Sequence, residues 1–157
     1  MPGRILRSVW RDSGGTATVE AAIILPVLFA LVFGVFEFSW SIWQQHLIST
    51  GIRDAARYIA RSANPNDPMI KQNAKYLATT GAIDGNTLRV RGWTAGYVDV
   101  SYNFINNPTG DNGLTEFRGG PVVESVTVST IFTVPSLGFF TTPTFKISHQ
   151  ERVTGSG

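Results

Sequence analysis

The stretch that decides the fold is GTATVEAAIILP at residues 15–26, where a short basic leader ends and a long apolar run begins. It places Glu20 five residues after Gly15, at the head of a segment apolar enough to enter a membrane. A charged side chain near hydrocarbon costs roughly 2.5–3.5 kcal/mol on insertion scales. We therefore interpret Glu20 as a functional residue.

The composition limits the classes of protein to which the chain can belong. Its 157 residues suffice for an anchor and one modest domain, and the absence of cysteine excludes disulfides, thiol catalysis and cysteine metal sites. Residues 1–63 carry six arginines against four acidic residues, whereas residues 64–157 carry seven basic and seven acidic residues. Because a nucleic-acid-binding domain shows a basic face, we expect no nucleic-acid partner.

The apolar run is long enough to cross a membrane. Residues 21–36 carry no charge, and apolar character resumes from Phe38 to Trp43. At about 1.5 Å per residue, residues 21–43 span roughly 35 Å, which exceeds a hydrocarbon core of about 30 Å. The alternative is a cleaved secretory signal. The length of the run, its Glu20 and the lack of a small-residue cleavage site favour a retained anchor, with the basic leader in the cytoplasm.

The helix is expected to continue beyond the membrane as one element over residues 16–63, kinked at Pro26, where proline removes a backbone hydrogen bond. Apolar residues at helical spacing predict a face that packs on the rest of the chain. These residues are Ile48, Ile52, Ala55 and Ile59. A second row, expected to face water, consists of Arg53, Arg57 and Arg61.

The remaining residues predict an α+β fold, with a short helix and an antiparallel sheet of about four strands. Asn66-Asp67-Pro68 is typical of a helix start, and Gly81 is typical of a helix end. Alternating apolar and polar residues predict the strands. The strand patterns are Leu88–Trp93, Val98–Phe104, Val126–Val134 and Phe145–Val153. The chain therefore divides into a leader (1–15), a transmembrane and extended helix (16–63) and an exported domain (64–157).

No pattern indicates catalysis, so we predict no catalytic residue, no metal and no cofactor. The only two histidines, His46 and His149, lie far apart, and neither a nucleophile elbow nor a phosphate loop is present. Glu20 and Glu37 lie 17 residues apart, which is about 25 Å along one helix, so they cannot form an acid–base pair. Glu37 can reach the outer interface. Glu20 either reaches the inner interface or needs a cation, such as an α-amino group created by cleavage.

The turn that carries Phe139 and Phe140 has two interpretations. These rings either fill the core of the exported domain or form a contact patch for a partner subunit.

The N-terminal residues resemble those of type IV pilins, in which a prepilin peptidase cuts after a glycine and a glutamate is the fifth mature residue. Here the cut would fall between Gly15 and Thr16, with Glu20 in fifth place. More narrowly, residues 14–61 resemble the TadE pseudopilins of tight-adherence (Tad/Flp) pilus systems. The matching stretches are residues 15–20, 22–26, 34–38 and 52–58. Two departures are Ala21, where the family often has phenylalanine, and Ala55, where it often has glycine.

The resemblance implies a minor pilin or assembly factor without enzymatic activity, held in the inner membrane with a periplasmic domain or incorporated into an extracellular pilus. It implies as partners a prepilin peptidase, the major Flp pilin, another pseudopilin, the inner-membrane pilus platform and membrane lipid. Glu20 would neutralise an N-terminal amine, and Glu37 would be a second helix carboxylate. The small residues Ala30 and Gly34 are spaced for close helix approach.

The alternative to a pilus role is a single-pass envelope protein whose exported domain binds a ligand or another protein. An exported enzyme has little support from these residues.

Overall fold

The structure, a computed structural model, describes residues 13–111, 113–117 and 120–154, without the side chains of Ser13 and Thr16. Residues 1–12 of the basic leader and Asn112 therefore lie outside the described residues. The elements are helices α1 (Ser13–Ala60) and α2 (Pro68–Thr80) and strands β1 (Val98–Asn106), β2 (Val122–Thr133) and β3 (Thr144–Arg152). The strands are antiparallel in the order β1-β2-β3. The predicted α+β fold is confirmed, with three strands rather than four.

Helix α1 is a single element of 48 residues that continues through Pro26, and it is about 70 Å long. Its first half has little protein cover, since the side chains described between residues 17 and 33 are exposed. Within the described part of the chain, α1 is the one helix long and apolar enough to cross a membrane, with a mean hydropathy of 2.5 in its most apolar window. This first half is a candidate membrane span.

The second half of α1 forms the core of the domain. The predicted apolar stripe is confirmed, because its four residues are fully buried against the sheet and α2. On the sheet side, the fully buried residues include Val126 and Val128 of the central strand β2. Each fully buried aliphatic side chain contributes roughly 1.5–3 kcal/mol. The same helix therefore provides both the candidate span and the core.

The ends of the two helices are closed by specific hydrogen bonds. Helix α1 ends at Ala60, three residues before the predicted end, and its carbonyl oxygen accepts from the Thr154 N–H at 2.8 Å. Helix α2 begins and ends as predicted. The Asp67 side chain accepts from the Met69 N–H at 2.8 Å, and Gly81 adopts a left-handed φ of 88° at the C-terminal end.

The predicted strand at Leu88–Trp93 is wrong. Its backbone bonds to α2 instead of a neighbouring strand, since the Arg89 N–H donates to the Thr79 carbonyl oxygen at 2.8 Å. Gly92 has a φ of 82°, which interrupts an extended chain. Trp93 is fully buried, and its indole N–H donates to Thr130 Oγ1 at 3.1 Å. The segment is thus an irregular connection that places one large ring in the core.

Helices α1 and α2 lie very close together at Gly51. A Cβ atom at this position would overlap the carbonyl oxygen of Ala78 and would lie 3.0 Å from the Trp93 ring. Neither obstacle is the end of a flexible side chain, because one is helix backbone and the other is a ring packed in the core. Glycine is therefore required at position 51 for the two helices to pack.

We expect Gly51→Ala to destabilise the domain by about 1–3 kcal/mol, since overpacking displaces backbone and core rings. Thermal or denaturant unfolding of the detergent-solubilised protein measures this change. Thr50→Ala, one residue earlier and exposed, is the matched control and should not lower the stability, because alanine is the better helix former. Equal stability of the two variants would contradict the tight packing at Gly51.

Candidate functional site

Within the described residues, the N-terminal end of α1 has no protein cover. Gly15 is exposed, and a Cβ atom there would meet nothing within 4 Å. Thr16 lies in the helix, although its side chain is not described. Glu20 is exposed, and within the described residues no hydrogen bond or ion pair involves its carboxylate. The helix therefore presents a glycine and an accessible carboxylate at the head of its apolar surface.

The middle of the candidate span carries the residues predicted for kinking and packing. Pro26 and Ala30 are exposed, whereas Gly34 is half-buried. A Cβ atom on Gly34 would lie 3.8 Å from the Phe140 ring. Of the two small residues predicted for helix approach, Ala30 is thus accessible, and Gly34 is covered by another part of the same chain.

Glu37 is buried, with an exposed fraction of 4%. What covers it is the β2–β3 loop, residues 134–143. One carboxylate oxygen accepts from the Leu137 N–H at 2.9 Å, and the other faces the Phe139 N–H at 3.4 Å. The sequence-based assignment of Glu37 to the outer interface missed this partner, which lies about a hundred residues away in the chain. Glu37 holds a loop and does not face open solvent.

Two further side chains of α1 bind the same loop. Trp40 Nε1 and Gln44 Nε2 both donate to the Pro135 carbonyl oxygen, at 3.2 Å and 2.9 Å. Glu37, Trp40 and Gln44 recur at helical spacing on one face of α1, and we call them the helix clamp. The Glu37 carboxylate accepts hydrogen bonds from loop amides, whereas the Trp40 and Gln44 side chains donate to a loop carbonyl oxygen. The clamp therefore binds both N–H and C=O groups of the loop backbone.

The loop aromatics lie against the candidate span. The Phe139 and Phe33 rings stack with centroids 4.5 Å apart and an angle of 13°. Yet Phe139 and Phe140 remain 52% and 54% exposed, and Leu137 is 47% exposed. Filling of the domain core is therefore not their role. The turn covers α1 on one side and presents an apolar surface on the other.

The far end of α1 contacts β3 through charged side chains. Arg57, from the row expected to face water, is 3.4 Å from the Glu151 carboxylate, which also lies 2.9 Å from His149 Nε2. The hydrogen bond from His149, followed by that from Arg57, lowers the pKa of Glu151. In the described part of the chain, no group of three His, Cys, Asp or Glu side chains is placed to hold a metal ion.

These features define a helix-anchored α+β protein with an accessible glycine and carboxylate at the head of the anchor. The family model for the TadE-like protein matches residues 15–57, from Gly15 through most of α1. Residues 15–57 are thus TadE-like, as the N-terminal residues predict, and this match supports a protein associated with the Tad pilus. The match ends before α2 and the sheet, which occupy the rest of the chain. Comparisons with curated proteins and with solved structures gave no match.

We expect Glu37→Ala to release the β2–β3 loop. A hydrogen bond to a charged group contributes about 1.5–3 kcal/mol, so exchange of the Leu137 amide should accelerate by roughly 10- to 100-fold. Hydrogen–deuterium exchange measured by mass spectrometry on the purified protein checks this. Glu20→Ala removes the other helix carboxylate and is the control, because it lies far from the loop. Unchanged protection in Glu37→Ala would contradict the clamp.

Proposed function

We propose that this protein is a minor pilin, or pseudopilin, that acts in assembly of a Tad/Flp-type adhesion pilus and has no enzymatic activity. A prepilin peptidase would cut it between Gly15 and Thr16 at the inner membrane, with the N-terminus cytoplasmic and the domain periplasmic. The observation that carries the proposal is the spacing of Gly15 and Glu20 at an exposed helix head, inside the region that matches the TadE-like family.

Cleavage would supply a cation for Glu20. The new α-amino group at Thr16 lies four residues before Glu20, and residues at this spacing share a helix face. Opposite unit charges about 4 Å apart attract by about 4 kcal/mol at an effective dielectric constant of 20. That is comparable with the roughly 2.5–3.5 kcal/mol cost of a charge at membrane depth. The amine of a neighbouring subunit would neutralise Glu20 in the same way. Replacement of the chain's own amine by that of a neighbour would guide assembly.

The exposed apolar side chains of the span would supply the packing surface for partner helices. Residues 21–32 are exposed on every side of α1. In this proposal the partners are the major Flp pilin, another pseudopilin and the inner-membrane platform, whose membrane segments would pack on that surface.

A second candidate is a single-pass envelope protein whose domain binds a ligand or another protein. It is favoured by one observation, namely that the family match ends at residue 57 and leaves the sheet without a matching relative. This candidate does not require cleavage after Gly15, so processing separates the two.

We expect mass spectrometry of the protein from cells that contain the matching peptidase to find Thr16 as the first residue. Gly15→Leu should abolish processing, because the cut follows a glycine in the proteins that this N-terminus resembles. Gly120→Leu, at an exposed position of the domain where a Cβ atom would meet nothing within 4 Å, controls for a general effect of replacing glycine. Recovery of only the uncut chain in the unmodified protein would favour the envelope protein instead.

We expect Glu20→Ala to be cleaved normally but to impair pilus formation by about tenfold or more, since a loss of 1.4 kcal/mol already changes an equilibrium tenfold. Counting pili and measuring the pilus-associated fraction of the protein tests this effect. Asp99→Ala, at an exposed acidic residue of the domain, is the control and should assemble normally. Normal piliation in Glu20→Ala would refute the proposed charge pairing.

A further inference from the structure

The tip of the β2–β3 loop has the chemistry of a membrane-embedded segment. No charged residue occurs between Glu124 and Lys146. The exposed side chains at the tip are Leu137, Phe139 and Phe140, and each leaves about half of its surface uncovered. Contiguous exposed apolar side chains indicate a contact surface for a membrane or a protein, because water solvates them poorly.

The position of the loop along α1 places this surface at membrane depth. Trp40 and Trp43, whose rings lie 5.0 Å apart and are partly exposed, fit the belt of aromatic residues at a lipid–water interface. Phe33, on which Phe139 stacks, precedes Trp40 by seven residues and thus lies about 10 Å nearer the bilayer centre. The 20 residues that end at Trp40 start at Ala21, directly after Glu20, and are about 30 Å long, which matches the hydrocarbon thickness.

Several polar backbone groups of the loop have hydrogen-bond partners within the chain. Non-helical backbone at membrane depth needs internal partners for its polar groups. Glu37 accepts from the amides of Leu137 and Phe139, and Ser136 Oγ accepts from the Gly138 N–H at 2.7 Å. The Pro135 carbonyl oxygen receives two donors from α1. The three successive N–H groups of residues 137–139 at the tip therefore have hydrogen-bond acceptors within the chain.

We propose that the β2–β3 loop inserts into the lipid bilayer beside α1, in the leaflet nearest the C-terminal domain, as a second anchor. A largely apolar groove of about 570 Å³ lies between the loop and α1. Its apolar lining includes Phe38, Ile42 and Phe145, and it is also bordered by Glu37, Ser41 and Gln45. Acyl chains of that leaflet fill the groove. The helix clamp holds the loop at this depth, and both oxygens of its carboxylate face amides of the loop.

Lipid is the occupant that the observations favour over a partner protein. The stacking of Phe139 on Phe33 fixes the depth of the tip within this one chain, and at that depth the surrounding medium is acyl chains. The tip also presents no charge that would select a particular protein partner. The inference requires that α1 crosses the membrane, but it does not require cleavage or pilus assembly. It can therefore be tested independently of the proposed function.

The absence of cysteine allows single-cysteine labelling of the full chain. Phe139→Cys, labelled with a polarity-sensitive fluorophore, would be reconstituted at low density in vesicles of phosphatidylethanolamine and phosphatidylglycerol. We expect quenching by acyl-chain spin-labelled lipid, a blue-shifted emission and loss of quenching by aqueous iodide. Val35→Cys in the span is the positive control. Met69→Cys, an exposed apolar position at the start of α2, is the water-exposed control and should show the reverse.

Two results would overturn the proposal. A label at position 139 that iodide quenches as strongly as the label at position 69 would place the loop in water. A label shielded from both iodide and spin-labelled lipid would assign the loop to a protein contact. Leu137→Cys provides the same measurement at a second tip position, and circular dichroism of each labelled variant verifies the fold.

Discussion

Burial of the α1 stripe against the sheet is the interaction on which the rest of the structure depends. Ile48, Ile52 and Ile59 are fully buried, and they belong to the same continuous helix as the candidate span. Because a helix rises by a fixed distance per residue, packing the domain on its second half also sets the height of the domain above its first half. Without this packing, the β2–β3 loop would have no defined position along the span.

The two carboxylates of α1 show how one residue type takes different roles in different surroundings. Glu37 is buried and its oxygens face two amides of the loop, so its carboxylate is stabilised by hydrogen bonds within the chain. Glu20 is exposed at the apolar head of the helix and has no such donors among the described residues. Its charge either reaches the inner interface or takes an external cation, and the second case is the physical basis for the proposed pairing with an amine created by cleavage.

Much of the fold could be predicted from local patterns. The apolar stripe, the cap at Asp67, the end at Gly81 and three alternating strands depend on neighbours in sequence. The segment Leu88–Trp93 was misassigned because its alternation is weak and because its anchors, Thr79 and Thr130, come from other elements. The need for glycine at position 51 could not be predicted from the sequence either, because it arises from the backbone of α2.

The site could be predicted only at its N-terminal end. There, the spacing between Gly15 and Glu20 is a local signal, and the residues around it resemble those of a known family. The clamp has no such local signature, because Glu37 pairs with amides about a hundred residues away. The sequence contains one indication of the clamp. Glu37, Trp40 and Gln44 carry polar atoms and recur on one face of α1, where the apolar stretch of the helix ends.

The loop also limits how a partner helix can approach α1. Ala30 and Gly34 share a helix face, but Phe140 covers Gly34 while Ala30 remains exposed. A partner helix on that face would therefore meet the loop one turn above Ala30. Of the predicted pair of small residues, Ala30 alone remains open to such a helix, and one turn toward Glu20 its face carries Pro26 and Val27 instead of a second small residue. The loop thus removes half of the predicted site of close helix approach and leaves the exposed apolar side chains of the span as the surface on which a partner can pack.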